Sequence, residues 1–423
     1  MVLPTGTGFR QSGHGDRHSR SSSYSNIQSP GIDRFPILGA GDRRPLLAAG
    51  TRSLAGSITP VLSVEAVEPV WRALEARSRS HFFLSWTWIG SWLRLVRDTT
   101  PVWLFECRHG DRTVALALLT RFRGRRLKRS LPSTQVLLNE FLADGYNMVM
   151  AYNGLLAEPG MEQRAWDCFL DAARKWDEAW DEISLGSLPD GELPATPDDR
   201  SGLRVRPDKT FVRWAVPLRP ECARPDALLR RMKRKSRQQL RQSLRAYGRL
   251  GDLSLRVASN TEEAHAYFDR LEELHTARWE AIGQHGSFQN PRWARFHRDL
   301  IDHGFDTGQV QLLEVRCADF PIGLLYGHQY GDTVYMHQTG FYLTDDNALR
   351  TGYVCHFEAM RHFAAKGLRN YDLLPDQADS YKRFFADPGE PIHWVQLQRP
   401  RLRFGAERLI RRLWSTAGPA TAH

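Results

Sequence analysis

Residues 345–387 read "DDNALRTGYVCHFEAMRHFAAKGLRNYDLLPDQADSYKRFFAD". A polar loop leads into a stretch of helical spacing, then a brief apolar run, then the pair Tyr381-Lys382. Leu349, Arg350, Thr351 and Gly352 stand where the helix begins. The first turn of a helix leaves backbone N–H groups free and carries partial positive charge, and both suit a pyrophosphate. Gly352 admits a close backbone approach, and Arg350 adds a charge-assisted donor. The same four residues also make an ordinary helix start; their position behind a run of strands gives them weight.

Those strands are "QVQLLEVRC", "PIGLLYGHQY" and "DTVYMHQTGFY", joined by short turns that include Gly331-Asp332. Before them the spacing predicts two helices: "TEEAHAYFDRLEELHTARWEAIG", opened by Thr-x-x-Ala, and "NPRWARFHRDLIDHG", with Asn290 as cap and Pro291 in the first turn. "IHWVQLQ" reads as a closing strand. The first half follows a similar order. "VEAVEPVWRALEAR" is helical, and "HFFLSWTWIGSWLRLVRD" sets Phe83, Trp86, Ile89 and Leu93 at helical spacing. "PVWLFECRHGDRTVALALLTRFRG" is a hairpin turning at His109-Gly110-Asp111, followed by a helix, "MEQRAWDCFLDAARKWDEAW", and a strand, "EISLGSL".

The 423 residues exceed one ordinary domain, and 41% hydrophobic residues with 13 Trp supply a sizeable core. Two α/β (α+β) domains are expected, at 54–205 and 206–405, each a mixed, mainly antiparallel sheet flanked by helices. A disordered basic tail, 1–53, and a C-terminal tail, 406–423, complete the expected division. The first 53 residues hold seven Arg against three Asp, so they carry +4 of the net +10. Five scattered cysteines, Cys107, Cys168, Cys222, Cys317 and Cys355, form no zinc or redox spacing, and no metal is expected. No apolar run approaches a membrane span, and the expected location is the cytoplasm.

The sequence resembles the GNAT acyltransferases, and within them the CelD-type, FemAB-like branch associated with cellulose and exopolysaccharide biosynthesis. The stretches that carry the resemblance are "HFFLSWTWIGSW", "LLNE", "AYNGLLAEPG", "MKRKSRQQLRQSLRAYG", "LHTARWEAIGQHGSF" and "GLRNYDLLPDQADSYKRFF", in that order across nearly all of the chain after the tail. The resemblance implies two tandem GNAT-like domains, with acetyl-CoA or a longer acyl-CoA held chiefly by the second and an amine acceptor in the cleft between them. It also implies that "YDLL" is the strand beside the thioester and that Tyr381 faces the coenzyme sulfur as proton source. Two departures stand out. The Gln/Arg-x-x-Gly-x-Gly/Ala loop of the wider superfamily is not intact, and Ala151 occupies a position where related sequences often carry Glu.

Acyl transfer to an amine requires a neutral nucleophile, donors for the oxyanion and an acid for the thiolate. Lys382 is a candidate for the phosphate or the developing carbonyl charge, or a solvated lysine. Asp372 lies in an apolar strand run, where a carboxylate must be paired or functional; orienting the acceptor ammonium and pairing with Lys382 both remain open. His337 shares a strand face with Thr333 and Tyr335 and is a candidate base, or a satisfied core histidine. His275, Arg278 and Trp279 fall at i, i+3 and i+4 and could frame the acceptor pocket, with Gly286 turning the next loop and Phe288 plugging it. Asn139, Glu140, Tyr152 and Asn153 could reach the cleft from the first domain.

Between Leu228 and Gly248 stand eight basic residues and no acid, on an expected amphipathic helix. It could bind phosphates of coenzyme A, of a nucleotide sugar, of tRNA or of an anionic surface. A second basic patch covers 121–129. Three functional readings follow: acyl-CoA-dependent N-acyl transfer to a small molecule or saccharide, aminoacyl transfer from charged tRNA, and a non-catalytic nucleic-acid or membrane-surface binder.

Overall fold

Polar side chains cap four of the helices among the described residues, where the apolar spacing begins. A computed structural model describes residues 54–126, 131–143, 146–148, 150–194, 203–284, 286–342, 344, 346, 348–405 and 407. The expected tails, apart from Glu407, and residues 127–129 of the second basic patch lie outside the described residues. Ser63 caps α1 (Val64–Glu75), and Ser85 caps α2 (Trp86–Val96). Asn290 caps α7 (Pro291–Gly304), as its Asn-Pro start predicts. For α6 (Thr261–Ala281) the cap is Asn260 rather than the Thr-x-x-Ala start: its side chain accepts from Glu263 N–H at 2.8 Å, and Glu263 reaches back to Ser259 N–H at 2.7 Å.

The strands of the first half are β1 (Leu54–Pro60), β2 (Val102–His109), β3 (Arg112–Arg126), β4 (Leu131–Leu138), β5 (Phe141–Ala143), β6 (Tyr146–Met148), β7 (Leu156–Ala157) and β8 (Glu182–Pro189), with α3 (Glu162–Lys175) before β8. Next come β9 (Arg204–Pro217), α4 (Pro225–Arg231), α5 (Arg234–Tyr247) and β10 (Leu253–Val257). After α6 and α7 stand β11 (Val310–Cys317), β12 (Phe320–Tyr330), β13 (Thr333–Phe341), α8 (Thr351–Ala365), β14 (Asn370–Asp372) and β15 (Pro388–Gln398). The basic segment expected as one helix is two, because Met232 turns to extended backbone (ψ 153°) and buries its side chain between α4 and α5.

Both halves share one thirteen-stranded sheet, in the order β1-β2-β3-β4-β8-β15-β9-β14-β13-β12-β11-β10, with β7 on β3. The last strand of the chain, β15, returns to lie between β8 and β9, and the expected boundary at 205/206 falls inside β9. The architecture is therefore mixed α/β, with a large, mostly antiparallel sheet flanked by helices. Its two parallel contacts are β4 with β8 and β13 with β14.

Three apolar cores pack against the sheet. One joins α3 to β2, β3 and β8; a second joins α4, α5 and α8 to the second-half strands. The third spans both halves, because α1 and α2 sit with α6 and α7 over the second-half strands. There Phe82 stacks on His328 at 4.2 Å between ring centroids, and Arg94 pairs with Asp299 at 3.0 Å. All five cysteines are buried and free. No helix among the described residues is long and apolar enough to cross a membrane.

Candidate active site

Each parallel contact lasts three residues and then opens. β4 pairs with β8 from Gln135↔Glu182 to Leu137↔Ser184, and β13 with β14 from Thr333↔Asn370 to Tyr335↔Asp372. Beyond those points the two openings differ. The first is closed by the chain itself. Asn139, in left-handed backbone (φ 50°), donates from its amide to Asn153 Oδ1 at 3.0 Å and Gly154 O at 2.8 Å. Asn153 donates to Leu138 O at 2.9 Å, and its backbone N–H reaches Ser187 O at 3.0 Å. Glu140, fully buried, accepts from Met150 N–H at 3.2 Å. Asn139, Glu140 and Asn153 thus hold the first opening shut rather than lining the cleft.

The second opening is not stitched. After Asp372 the chain follows β9, with Leu373 N–H on Trp214 O at 2.7 Å and Asp376 bridged to Val212. Residues 336–341 of β13 have no strand partner on that side among the described residues. A crossover from β13 through α8 to parallel β14 places the N-terminus of α8 at the open end of the strands, where ligands of such sheets bind. The contact of Phe341, the last residue of β13, with Gly352 fixes that end: a Cβ on Gly352 would lie 2.9 Å from the Phe341 ring. Ring packing therefore requires glycine here, alongside any role in phosphate approach.

Arg350 is the residue before α8, left-handed (φ 42°, ψ 54°) and without a side-chain cap, so the first N–H groups of the helix remain available. Thr351 is buried, its hydroxyl 2.8 Å from Tyr247 OH, and Ser243 donates to Ala348 O at 2.7 Å. These two bonds seat α5 against the loop that enters α8. Leu349 is half-buried against the same core.

Tyr381 begins a 3-10 turn, Tyr381–Phe384, that docks on the first turn of α8 through Phe384 stacked on Tyr353 at 3.7 Å. Its side chain is half-buried. Burial pushes the Tyr381 phenol up to about 12, Asp376 adds to the rise, and Arg278 from the end of α6 opposes it. The phenol is thus protonated at neutral pH and able to donate. Lys382 is held otherwise. Its buried ammonium donates to Leu374 O at 3.1 Å and pairs with Asp376 at 3.2 Å, while burial lowers its pKa. Lys382 closes the loop 374–382, its ammonium bonded to Leu374 O and Asp376 rather than to Asp372.

Strand alternation puts neighbours on opposite faces at β14. Tyr371 turns to α8, its hydroxyl 2.7 Å from His356 Nδ1. Asp372, fully buried, turns to the other face and accepts from Tyr152 OH at 2.9 and 3.0 Å, from Arg213 Nε at 2.9 Å and from Leu374 N–H at 2.8 Å. Burial pushes its carboxyl up, while Arg213 and the three donors pull it down; the Arg213 pKa is raised by the same carboxylate against its own desolvation. The two side chains form a salt bridge at 2.9 Å, with the Tyr152 hydroxyl and the Leu374 N–H completing the carboxylate's partners. Tyr152 joins this buried cluster from the first half. Arg213, on β9, was not among the expected residues, although a lone Arg in "FVRWAV" matches the lone Asp in "NYDLL".

His337 lies two residues beyond Tyr335, the last residue of β13 that pairs with β14. The register with β12 jumps from Tyr326↔Gln338 to Gly327↔Met336, so His337 is the extra residue of a bulge. It stays on the face of Tyr335, both rings near Phe83 at 6.4 and 5.6 Å. Burial lowers His337 to about 4, so the half-buried imidazole is neutral and can accept a proton.

His275 and Trp279 lie inside α6 packing, with Trp279 Nε1 on His275 Nε2 at 2.9 Å, and Phe288 covers them at 5.1 Å from His275. Gly286 has ordinary backbone (φ −89°); its need is space, since a Cβ would sit 2.5 Å from His275 Cε1. Of the three expected pocket residues only Arg278 is exposed, beside Tyr381. The structure therefore brings together Arg278, Arg350, Thr351, Gly352 and Tyr381 at the mouth, with His337 and Asp372 at the vertex.

Buried neutral histidines leave a pH signature. Burial lowers His81 and His356 to about 3 and His275, His337 and His362 to about 4, below the ordinary 6.5. Between those values the unfolded chain binds more protons than the folded one, so stability rises with pH there. The unfolding midpoint is expected to be flat above pH 7 and to fall steadily from 6.5 towards 4. A midpoint unchanged down to pH 4.5 in a thermal scan would contradict the neutral assignments.

The opening between β13 and β14, with a helix terminus lacking a side-chain cap, a protonated phenol and a neutral imidazole, has the parts needed for group transfer to an amine. Residues 234–383 match the family model described as an acetyltransferase (GNAT) domain. No curated protein matches the sequence. Among solved structures the chain is similar to the C-terminal domain of a putative lysylphosphatidylglycerol synthetase from Agrobacterium fabrum, at 13% identity over 85% of this chain and 99% of that one, TM-score 0.47. It is also similar to FemX, at 11% identity over 78% and 96%, TM-score 0.48. A tandem GNAT protein from the clavulanic acid biosynthesis pathway is 13% identical over 82% and 99%, TM-score 0.44.

Proposed function

We propose that the protein is an N-acyltransferase that takes an acyl group from acyl-coenzyme A, bound in the opening between β13 and β14, and gives it to an amine arriving on the face of His337. The observation that carries this reading is the contrast between the two openings: one is stitched by Asn139 and Asn153, the other has no strand partner along 336–341 among the described residues and ends at the start of α8, which has no side-chain cap. Coenzyme A supplies the activated thioester. The N–H groups of Thr351 and Gly352, with Arg350, hold the pyrophosphate; His337 takes the proton of the attacking amine, and Tyr381 gives one to the departing thiolate. Asp372 acts through its partners, by fixing β14 to β9 and to Tyr152.

Arg350→Gly tests the donor site, because glycine suits the left-handed backbone at this position while removing the guanidinium. Acetyl-coenzyme A affinity by calorimetry is expected to fall about tenfold, the ~1.4 kcal/mol of one charge-assisted bond. An affinity that does not change would remove Arg350 from the site.

A second reading, aminoacyl transfer from charged tRNA, draws on α5. Arg234, Arg237, Gln238, Arg241, Gln242 and Arg245 line a shallow hollow of about 340 Å³, and none of these arginines pairs with a carboxylate among the described residues. A tRNA donor would bind there with steep salt dependence. In the same calorimeter it would replace the heat of acetyl-coenzyme A.

A further inference from the structure

The acceptor face has an electrical character that bears on which amines it admits. The His337 ring is surrounded by Trp88 at 5.8 Å, Trp293 at 6.0 Å, Tyr326 at 6.0 Å, His297 at 4.7 Å and His328 at 5.3 Å, besides Phe83. His297 and His328 are fully buried. His297 Nδ1 meets Tyr326 OH at 2.9 Å, whereas His297 Nε2, both nitrogens of His328 and His337 Nδ1 are buried without a partner. Nδ1 being buried, Nε2 is the His337 nitrogen left to the open side.

The titratable groups facing His337 are His297 from α7 and His328 and Tyr326 from β12. The first-half elements add Phe83 and Trp88, and its own strand adds Tyr335. No charged side chain acts on the ring among the described residues. Asp372, which pairs with Tyr335 across the sheet, is compensated by Arg213. Burial is the main cause that keeps the three imidazoles neutral, with repulsion from His337 and His328 adding to it at His297 and from His337 at His328, and the same desolvation acts on any cation brought beside them.

An alkyl ammonium, with pKa about 10.4, finds no counter-charge here and exists as free base in roughly one part in 2,500 at pH 7. An α-amine, with pKa about 7.7–8.0, is free base at pH 7 in about a tenth to a sixth of its molecules. Resting on the proposed N-acyl transfer, we infer that the acceptor is a weakly basic amine, of the α-amino, amino-sugar or arylamine kind, which enters uncharged with its nitrogen against His337 Nε2. Its lone pair forms the N–C bond as the C–S bond breaks. The N–H proton passes to His337 Nε2, and the thiolate takes the Tyr381 proton. Solvent then returns one proton from the imidazolium to the phenolate.

The test uses the full chain, acetyl-coenzyme A and four acceptors: glycinamide, glucosamine, aniline and n-butylamine, followed by thiol release. At pH 7 the weakly basic amines are expected to show kcat/KM at least tenfold above n-butylamine. For n-butylamine, kcat/KM on total amine should rise about tenfold per pH unit from 7 to 9. Equal or better use of n-butylamine at pH 7, flat with pH, overturns the inference. So does failure of all four acceptors while acetyl-coenzyme A still binds. Loss of that binding instead overturns the donor reading beneath it. His337→Glu supplies the missing counter-charge and is expected to move the preference at least tenfold towards n-butylamine; an unmoved ratio counts against the assignment.

Discussion

Replacing Tyr381 with Phe is expected to lower kcat by about 10² to 10⁴, the range for loss of a positioned proton donor, with acetyl-coenzyme A affinity within about twofold of the parent protein. The split follows from geometry. The 3-10 turn is held by Phe384 on Tyr353 and by Lys382 on Asp376, neither of which needs the Tyr381 hydroxyl. Phe keeps the ring and removes only the O–H, so the donor pocket keeps its shape. A thioester whose thiol leaves as a stable anion needs no acid. The variant should therefore recover most of its rate with an aryl thioester donor. Loss of affinity together with kcat, or no recovery with the aryl thioester, would make Tyr381 a packing residue.

The second half was largely legible because its elements carry strong signals: Asn-Pro before α7, Gly-Asp between β12 and β13, and long apolar alternation in β11 to β13. The start of α8 was legible for the same reason. β9 was not. "RVRPDKTFVRWAVP" mixes charges and an internal proline, which argue against a central strand, yet tertiary pairing with β14 and β15 on both sides overrides them. Missing β9 meant missing Arg213. It also hid the join between the halves, since only a folded sheet shows that the C-terminal strand returns beside β8.

Local pattern also could not tell a polar residue that closes a cleft from one that lines it. Asn139 and Asn153 read as equally fit for either, and their mutual bond decides it. For His337 the alternation gave the right face, but the bulge that leaves it unpaired at the vertex depends on register with β12. His297 and His328 were legible only as histidines among apolar neighbours. Their meeting around His337 brings together α7 and β12, which no spacing rule connects.

Replacing Asp372 with Ala is expected to destabilise the fold by roughly 3–5 kcal/mol, the cost of stranding a buried charge partner, which lowers the unfolding midpoint by on the order of 10 °C. Three donors lose their acceptor together: Arg213 Nε, Tyr152 OH and Leu374 N–H. Arg213 keeps Glu390 at 3.1 Å, an exposed carboxylate that replaces little of what a fully buried one supplied. Because Tyr152 comes from the first half, Arg213 from β9 and Asp372 from β14, the loss loosens the vertex where β13 and β14 part. Activity should fall with stability, and Asp372→Asn, which keeps an acceptor oxygen, should recover part of both. The double variant Asp372→Asn with Arg213→Gln separates the pair from its surroundings. If the two losses overlap, so that the double variant costs less than their sum by 1 kcal/mol or more, the charges hold the vertex through each other. Simple additivity would mean that each side chain is anchored independently, and the geometry of the opening would then rest on Tyr152 and the Leu374 N–H alone.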